Sequence, residues 1–255
     1  MKARVAVLVF PGTNSEAESC DLLLDCGADA RIVHWSEAAS LAYYDAFVLP
    51  GGFAYEDRIR AGAIAAHDAM LDVVIEGAQA GKLVMGICNG AQILLEAGLA
   101  PGTGEIRRPT AAFTHNAQEH FICERVLLRR SAAAERCAIA AALPEEALIP
   151  AWAAHGPGRL AASPAHLDEL ERGGYVVFRY ADIHGATDAH LAPQGSALGA
   201  AALTNREGNV LAIMPHPERD AWNFNHPDRS EGADILAPSG GSVLFKSFVT
   251  ALERM

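Results

Sequence analysis

The chain has 255 residues, 51% of them hydrophobic, and a formal net charge of −11. That is enough apolar material for a sizeable core and too much for disorder, while the negative charge excludes a general nucleic-acid binder, which needs a basic face. The five cysteines (Cys20, Cys26, Cys88, Cys123 and Cys137) are odd in number and form no C-x-x-C pair, which excludes a zinc ribbon or disulfide framework as the basis of the fold and points to a reducing, cytoplasmic setting.

In chain order, VAVLVF (5–10) is an apolar, β-branched run of the kind found in a parallel strand covered on both faces. Pro11 and Gly12 break it too early for a signal-peptide core or a membrane span. Thr13, Asn14 and Ser15 can cap a helix over 16–26 that ends near Gly27. Strands follow at 30–35 and 46–52, a helix at 63–80, a strand at 82–88 and a helix at 90–97, most of them closed by glycine. This alternation predicts right-handed βαβ units and a mostly parallel sheet. Beyond about residue 105 the pattern changes. Strand character recurs at 120–130, 175–180, 197–205 and 209–219, which suggests an antiparallel or mixed extension, and 241–253 reads as a closing amphipathic helix. The absence of a linker or repeat predicts one domain over 1–255. The polar, irregular stretch 181–197 is expected to be a partner-facing loop.

The stretch VMGICNGAQ (84–92) places Cys88 between small residues at a strand-to-helix junction, the form of a nucleophile elbow. The start of the following helix carries partial positive charge that favours an anionic sulfur. A lone cysteine is more often a small buried hydrophobe; here the G-x-C-x-G setting favours a nucleophile. Such a cysteine needs a histidine base oriented by a carboxylate. In MPHPER (214–219), His216 lies between Pro215 and Pro217, and Glu218 follows two residues later, so a Cys88–His216–Glu218 triad is expected. LPGGF (49–53) ends the strand expected beside the elbow strand. The amide of Gly52 or Phe53, in the turn opened by Gly51, and the amide of Asn89 are candidate oxyanion donors. Gln92, one helical turn after Cys88, is a candidate substrate contact. There is no G-x-x-x-x-G-K-[ST] phosphate loop and no H-E-x-x-H motif, and His115 and His120 are poorly spaced as metal ligands, so no metal or nucleotide site is expected in this chain.

With PGGF (50–53), GICNGAQ (86–92) and HPE (216–218) in that order, the chain resembles the class I, triad-type glutamine amidotransferases. More closely it is similar to the glutaminase subunits of phosphoribosylformylglycinamidine synthase, through VLVFPGTNSE, LPGGFAYEDRIRAGAIA, AHGPGR, VVFRY, LTNREGNVLAIMPHPER and GGSVLFKSF, which span nearly the whole sequence. The resemblance implies a three-layer, flavodoxin-like α/β fold: a mostly parallel central sheet with helices on both faces, plus an antiparallel extension. It implies glutamine hydrolysis, with ammonia passed to a large synthetase subunit that uses ATP and Mg²⁺ to convert formylglycinamide ribonucleotide to formylglycinamidine ribonucleotide in purine synthesis. A small accessory subunit is also implied, with neither nucleic acid nor membrane as partner. It further marks Asn116 as a substrate contact and Arg60, His155 and Arg159 as interface residues. The chain departs from the family pattern at Pro157, Leu160, Ala117 and the 192–197 segment. The competing readings are a DJ-1/PfpI-like thiol hydrolase, whose cysteine is usually followed by histidine where Asn89 stands here, and a non-catalytic regulatory subunit.

Overall fold

The computed structural model describes residues 2–132, 134–227 and 229–255. The first half follows the predicted alternation. Strand β1 (Arg4–Val9) leads to helix α1 (Glu16–Asp25) and strand β2 (Asp29–His34). A 3-10 segment (Trp35–Tyr43) connects to β3 (Ala46–Leu49), then α2 (Ala69–Gln79), β4 (Leu83–Ile87) and α3 (Asn89–Glu96). The helix expected over 63–80 is split. Ala65–His67 form a 3-10 turn, and Asp68 takes an extended conformation to cap α2 by accepting from the Met70 amide. An aspartate at a helix start favours capping over continuing a helix through it. Ser15 sits at the N-cap of α1 but makes no capping bond, because its hydroxyl donates to Asn14 Oδ1 and accepts from Arg219.

The second half supplies β5 (Ala111–His115), β6 (Ile122–Arg130), a short α4 (Ala138–Ala141), β7 (Leu148–His155), β8 (Pro157–Ala162), α5 (Pro164–Arg172), β9 (Val176–Ala181), β10 (Ala200–Thr204), β11 (Val210–Ile213) and α6 (Ser242–Glu253). Nine strands form one sheet in the order β2-β1-β3-β4-β11-β10-β9-β6-β7. Pairing is parallel from β2 to β11 and antiparallel from β11 to β7. Apart from the exposed Arg4 at the start of β1 and Gly86 in β4, the strands β1, β3, β4 and β11 are runs of Val, Leu, Ile, Ala, Phe and Met, as a sheet covered on both sides requires. Because β1 connects to β2 on one side and the chain then winds back through β3 to β4 on the other, right-handed crossovers place α1 and α2 on opposite faces. Helix α6 packs with α1.

The fold puts three chain crossings side by side. β3, β4 and β11 are parallel neighbours, and their carboxyl ends lead into Gly51, Cys88 and His216 respectively. The antiparallel half then curls back onto this edge. Trp152, in β7, exchanges two backbone hydrogen bonds with His216, of 3.0 and 2.8 Å. Ala154 and His155 at the end of β7, and Gly156 and Pro157 in the turn into β8, thereby arrive beside the elbow.

Candidate active site

Cys88 lies between β4 and α3 with φ +52° and ψ −106°, a backbone conformation that side chains rarely adopt. Such strain, of order 1–3 kcal/mol, persists only where the surroundings fix it. Here the Cys88 amide donates to Ile213 O at 2.8 Å, and its carbonyl accepts from the Gln92 amide at 3.0 Å. The elbow packs too closely for a side chain at Gly90, where an added Cβ would lie 1.9 Å from the Leu49 carbonyl oxygen. The thiol is nearly buried, and its sulfur lies 3.9 Å from Ala154 O.

His216 and Glu218 are both buried, and Nδ1 of the imidazole meets Glu218 Oε1 at 2.5 Å. Burial alone would lower the imidazole's proton affinity. The Glu218 carboxylate, and then the charge and hydrogen-bonding approach of the Cys88 sulfur, outweigh it and raise His216 above its ordinary value. An imidazole held between a carboxylate and a sulfur is arranged to take the thiol proton and keep it in a dry site. The other carboxylate oxygen, Glu218 Oε2, is buried without a partner among the described residues. Gly51 backs the ring directly: a Cβ there would sit 2.4 Å from His216 Cε1.

Of the amides in LPGGF expected as candidate oxyanion donors, that of Phe53 is already engaged. The Phe53 amide donates to Gly12 O at 2.9 Å, while the amides of Gly52 and Asn89 make no hydrogen bond among the described residues. The Asn89 side chain organises the loop above. Its Oδ1 accepts from the Ala54 amide, and its Nδ2 donates to Asp57 Oδ1 and Gln92 Oε1, all at 2.9 Å. Gln92 lines the cavity, but its amide is held at both ends, because Nε2 also donates to Pro157 O at 2.8 Å. The acceptor is a backbone carbonyl, so the proline at 157 keeps this contact.

Beside the cysteine is a cavity of about 200 Å³ walled by Gly52, Phe53, Cys88, Gln92, His155, Pro157 and His216, with Asn14, Asp57, Phe121, Ala154, Gly156 and Arg219 completing it. Two expectations need correction. His155 is only 3% exposed and lines this cavity, so it is no interface residue. Asn116 is no substrate contact: its Nδ2 donates to His155 O and His120 O, and its Oδ1 meets His155 Nδ1 at 3.1 Å. It is a buried clip for the His155 ring. Burial, and secondarily the charge of His216, pushes His155 down to about 4, so the imidazole is neutral at neutral pH. Arg60 is also engaged within the chain, binding Glu96 of α3 at 2.7 and 2.5 Å. Arg159 is partly exposed and donates to His115 O at 3.0 Å.

The 181–197 segment is exposed at its start, where Ile183 projects, but not at its end. Gln194 and Ser196 are buried. Gln194 Nε2 donates to Tyr180 Oη and Gly158 O, the Gln194 backbone carbonyl accepts from the Ala117 amide, and Ser196 Oγ accepts from the Leu160 amide. Residues 192–197 therefore brace the wall behind the cavity instead of facing outward. Asp57, Ala154 and Arg219 reach the cavity without having been singled out from the sequence. The available signal for Asp57 and Arg219 was their position inside LPGGFAYEDRIRAGA and MPHPER.

Residues 2–250 match the CobB/CobQ-like glutamine amidotransferase domain. The chain belongs to this family. Within it, the chain is 40% identical over 250 residues to phosphoribosylformylglycinamidine synthase subunit PurQ of Symbiobacterium thermophilum, covering 98% of this chain and 97% of that one. It is 41% identical over 217 residues to the subunit of the same name from Trichormus variabilis, covering 85% and 88%. Among solved structures, it superposes on a chain of PurLQS from Thermotoga maritima with a TM-score of 0.75 at 30% identity, covering 98% of this chain and 99% of that one. Family membership supports the class I amidotransferase fold, including its antiparallel part, over the DJ-1-like alternative.

Proposed function

We infer that this chain is the glutaminase subunit of a phosphoribosylformylglycinamidine synthase. The observation that carries the reading is the Cys88–His216–Glu218 constellation at the carboxyl edge of three adjacent strands, in a chain similar over nearly its full length to PurQ subunits. His216 takes the thiol proton, and Cys88 Sγ attacks the side-chain amide carbon of glutamine. The developing oxyanion is met by the amides of Gly52 and Asn89. As the carbon–nitrogen bond breaks, His216 gives its proton to the leaving group, which departs as ammonia. Water then attacks the glutamyl thioester. His216 takes the water's proton and returns it to sulfur, releasing glutamate. Glu218 keeps the imidazole oriented and stabilises its charged form.

The ammonia is delivered to a large synthetase subunit, which binds ATP and Mg²⁺ and amidinates formylglycinamide ribonucleotide, with a small third subunit in the assembly. The similarity to a chain of PurLQS supports these partners. A cytoplasmic setting is supported by five free cysteines, and no helix among the described residues is long and apolar enough to cross a membrane. Replacing Cys88 by alanine should abolish glutamine-dependent amidination by the assembled complex and leave ammonia-dependent amidination intact. Loss of both would assign Cys88 a structural role, and retention of both would remove it from the chemistry.

A further inference from the structure

We propose that Asp57 and Arg219 read the two backbone charges of glutamine, Asp57 binding the α-ammonium and Arg219 the α-carboxylate. This rests on the glutaminase reading above and extends it to the residues that set substrate specificity. Both side chains line the cavity that holds Cys88 and His216. Neither has an ionic partner within the described residues. That is unlike the other sequestered carboxylates nearby, since Glu96 is paired with Arg60 and Asp220 with Arg125.

Each group is held from behind by neutral partners that fix its position and leave its charge uncompensated. Asp57 accepts from Asn89 Nδ2 at 2.9 Å and from the Gly62 amide. Arg219 donates to Ser15 Oγ at 3.1 Å. In the turn after His216 the charges are divided: Glu218 serves His216, Asp220 binds Arg125, and only Arg219 between them reaches the cavity. The loop carrying Asp57 is strained, with Tyr55, Glu56, Asp57 and Ile59 all at φ between +50° and +74°. It is tied down by a 2.6 Å bond from Tyr55 Oη to Asp68 and by the Asn89 bonds. Strain held in place by the surroundings concentrates where a side chain must be aimed. Burial raises the Asp57 carboxyl despite its two hydrogen bonds, as expected of a partly desolvated charge that lacks a counter-ion. An α-amino acid supplies both missing counter-ions on one carbon.

The test compares the wild-type chain with Asp57→Asn and Arg219→Gln, each assembled with its synthetase partners. The substrates are glutamine, 4-carbamoylbutanoate, which lacks the α-ammonium, and glutamine α-amide, which lacks the α-carboxylate. The loss of one charge-assisted contact is expected to cost about tenfold or more. Asp57→Asn should raise KM for glutamine at least tenfold with kcat less affected, and should leave 4-carbamoylbutanoate hydrolysis unchanged. Arg219→Gln should do the same for glutamine and leave glutamine α-amide unchanged. Equal losses on all three substrates, or an unchanged KM together with weakened assembly of the complex, would overturn the assignment in favour of a structural or interface role. If the wild-type complex hydrolyses glutamine but the variants do not alter this discrimination, the assignment fails alone. A wild-type complex that hydrolyses no glutamine overturns the glutaminase reading, and this assignment with it.

Discussion

Replacing Gly51 by alanine probes the geometry of the site with a single methyl group. The backbone there has no positive φ, so alanine is conformationally acceptable, but its Cβ would lie 2.4 Å from His216 Cε1, where ordinary contact begins at 3.4 Å. The imidazole must therefore give way by about 1 Å, and displacements of that size in a reacting group cost on the order of 100-fold in rate, or about 2.7 kcal/mol of transition-state stabilisation. The ring cannot move freely, because Glu218 holds Nδ1 and the backbone of His216 is paired with Trp152. The assay is glutamine-dependent amidination by the reconstituted complex, with ammonia-dependent amidination as the internal control and a thermal melt to confirm folding. The expected result is a roughly hundredfold fall in kcat with glutamine, no change with ammonia, and a folded protein. Wild-type kcat with glutamine in a stable Gly51→Ala chain would refute the placement of His216 against the LPGGF turn.

His155, neutral and buried, makes the fold acid-sensitive. The unfolded chain takes up a proton near pH 6.5 and the folded one only near 4, so stability is lost as pH falls from about 6.5 to 4, by up to about 3 kcal/mol. Urea unfolding of His155→Gln should lack this component, and identical pH profiles for variant and parent would contradict it. Gly90→Ala drives a Cβ into the Leu49 carbonyl at 1.9 Å, so it should lower the melting temperature sharply or prevent folding; a melt within a degree of wild type would contradict the elbow packing. Arg125→Met strips the buried Asp220 carboxylate of its main partner, which should cost about 3–5 kcal/mol in chemical denaturation. A loss below 1 kcal/mol would show that Asp220 is not buried as an ion.

The grouping of Cys88, His216 and Glu218 was legible in the sequence because each lies in a short motif whose local geometry is fixed by small or proline residues: Cys88 between glycines and His216 between prolines. The parallel half of the sheet was equally legible, since its strands are continuous apolar runs closed by glycine. What stayed hidden is long-range. The pairing of Trp152 with His216 brings Ala154, His155 and Pro157 to the cysteine, and no periodicity within 148–162 announces it. Hydrogen-bond partners were hidden for the same reason. Phe53 has the position of an oxyanion donor in the sequence, but its amide donates to Gly12, from a distant part of the chain. Asn116 and Gln92 carry amides suited to substrate, yet the fold turns both inward to His155 and to Pro157. Residues 192–197 are polar and irregular in sequence, and only the buried bonds of Gln194 and Ser196 reveal a brace in place of an exposed loop.

The central claim is that Cys88 is the nucleophile that attacks glutamine, and covalent trapping tests it most directly. A glutamine-like diazo-ketone should alkylate the native chain, alone or assembled with its synthetase, and peptide mapping should find the adduct on Cys88, with free glutamine protecting it. Labelling of Cys20, Cys26, Cys123 or Cys137 in its place, or no adduct on Cys88 in the assembled complex, would contradict the account.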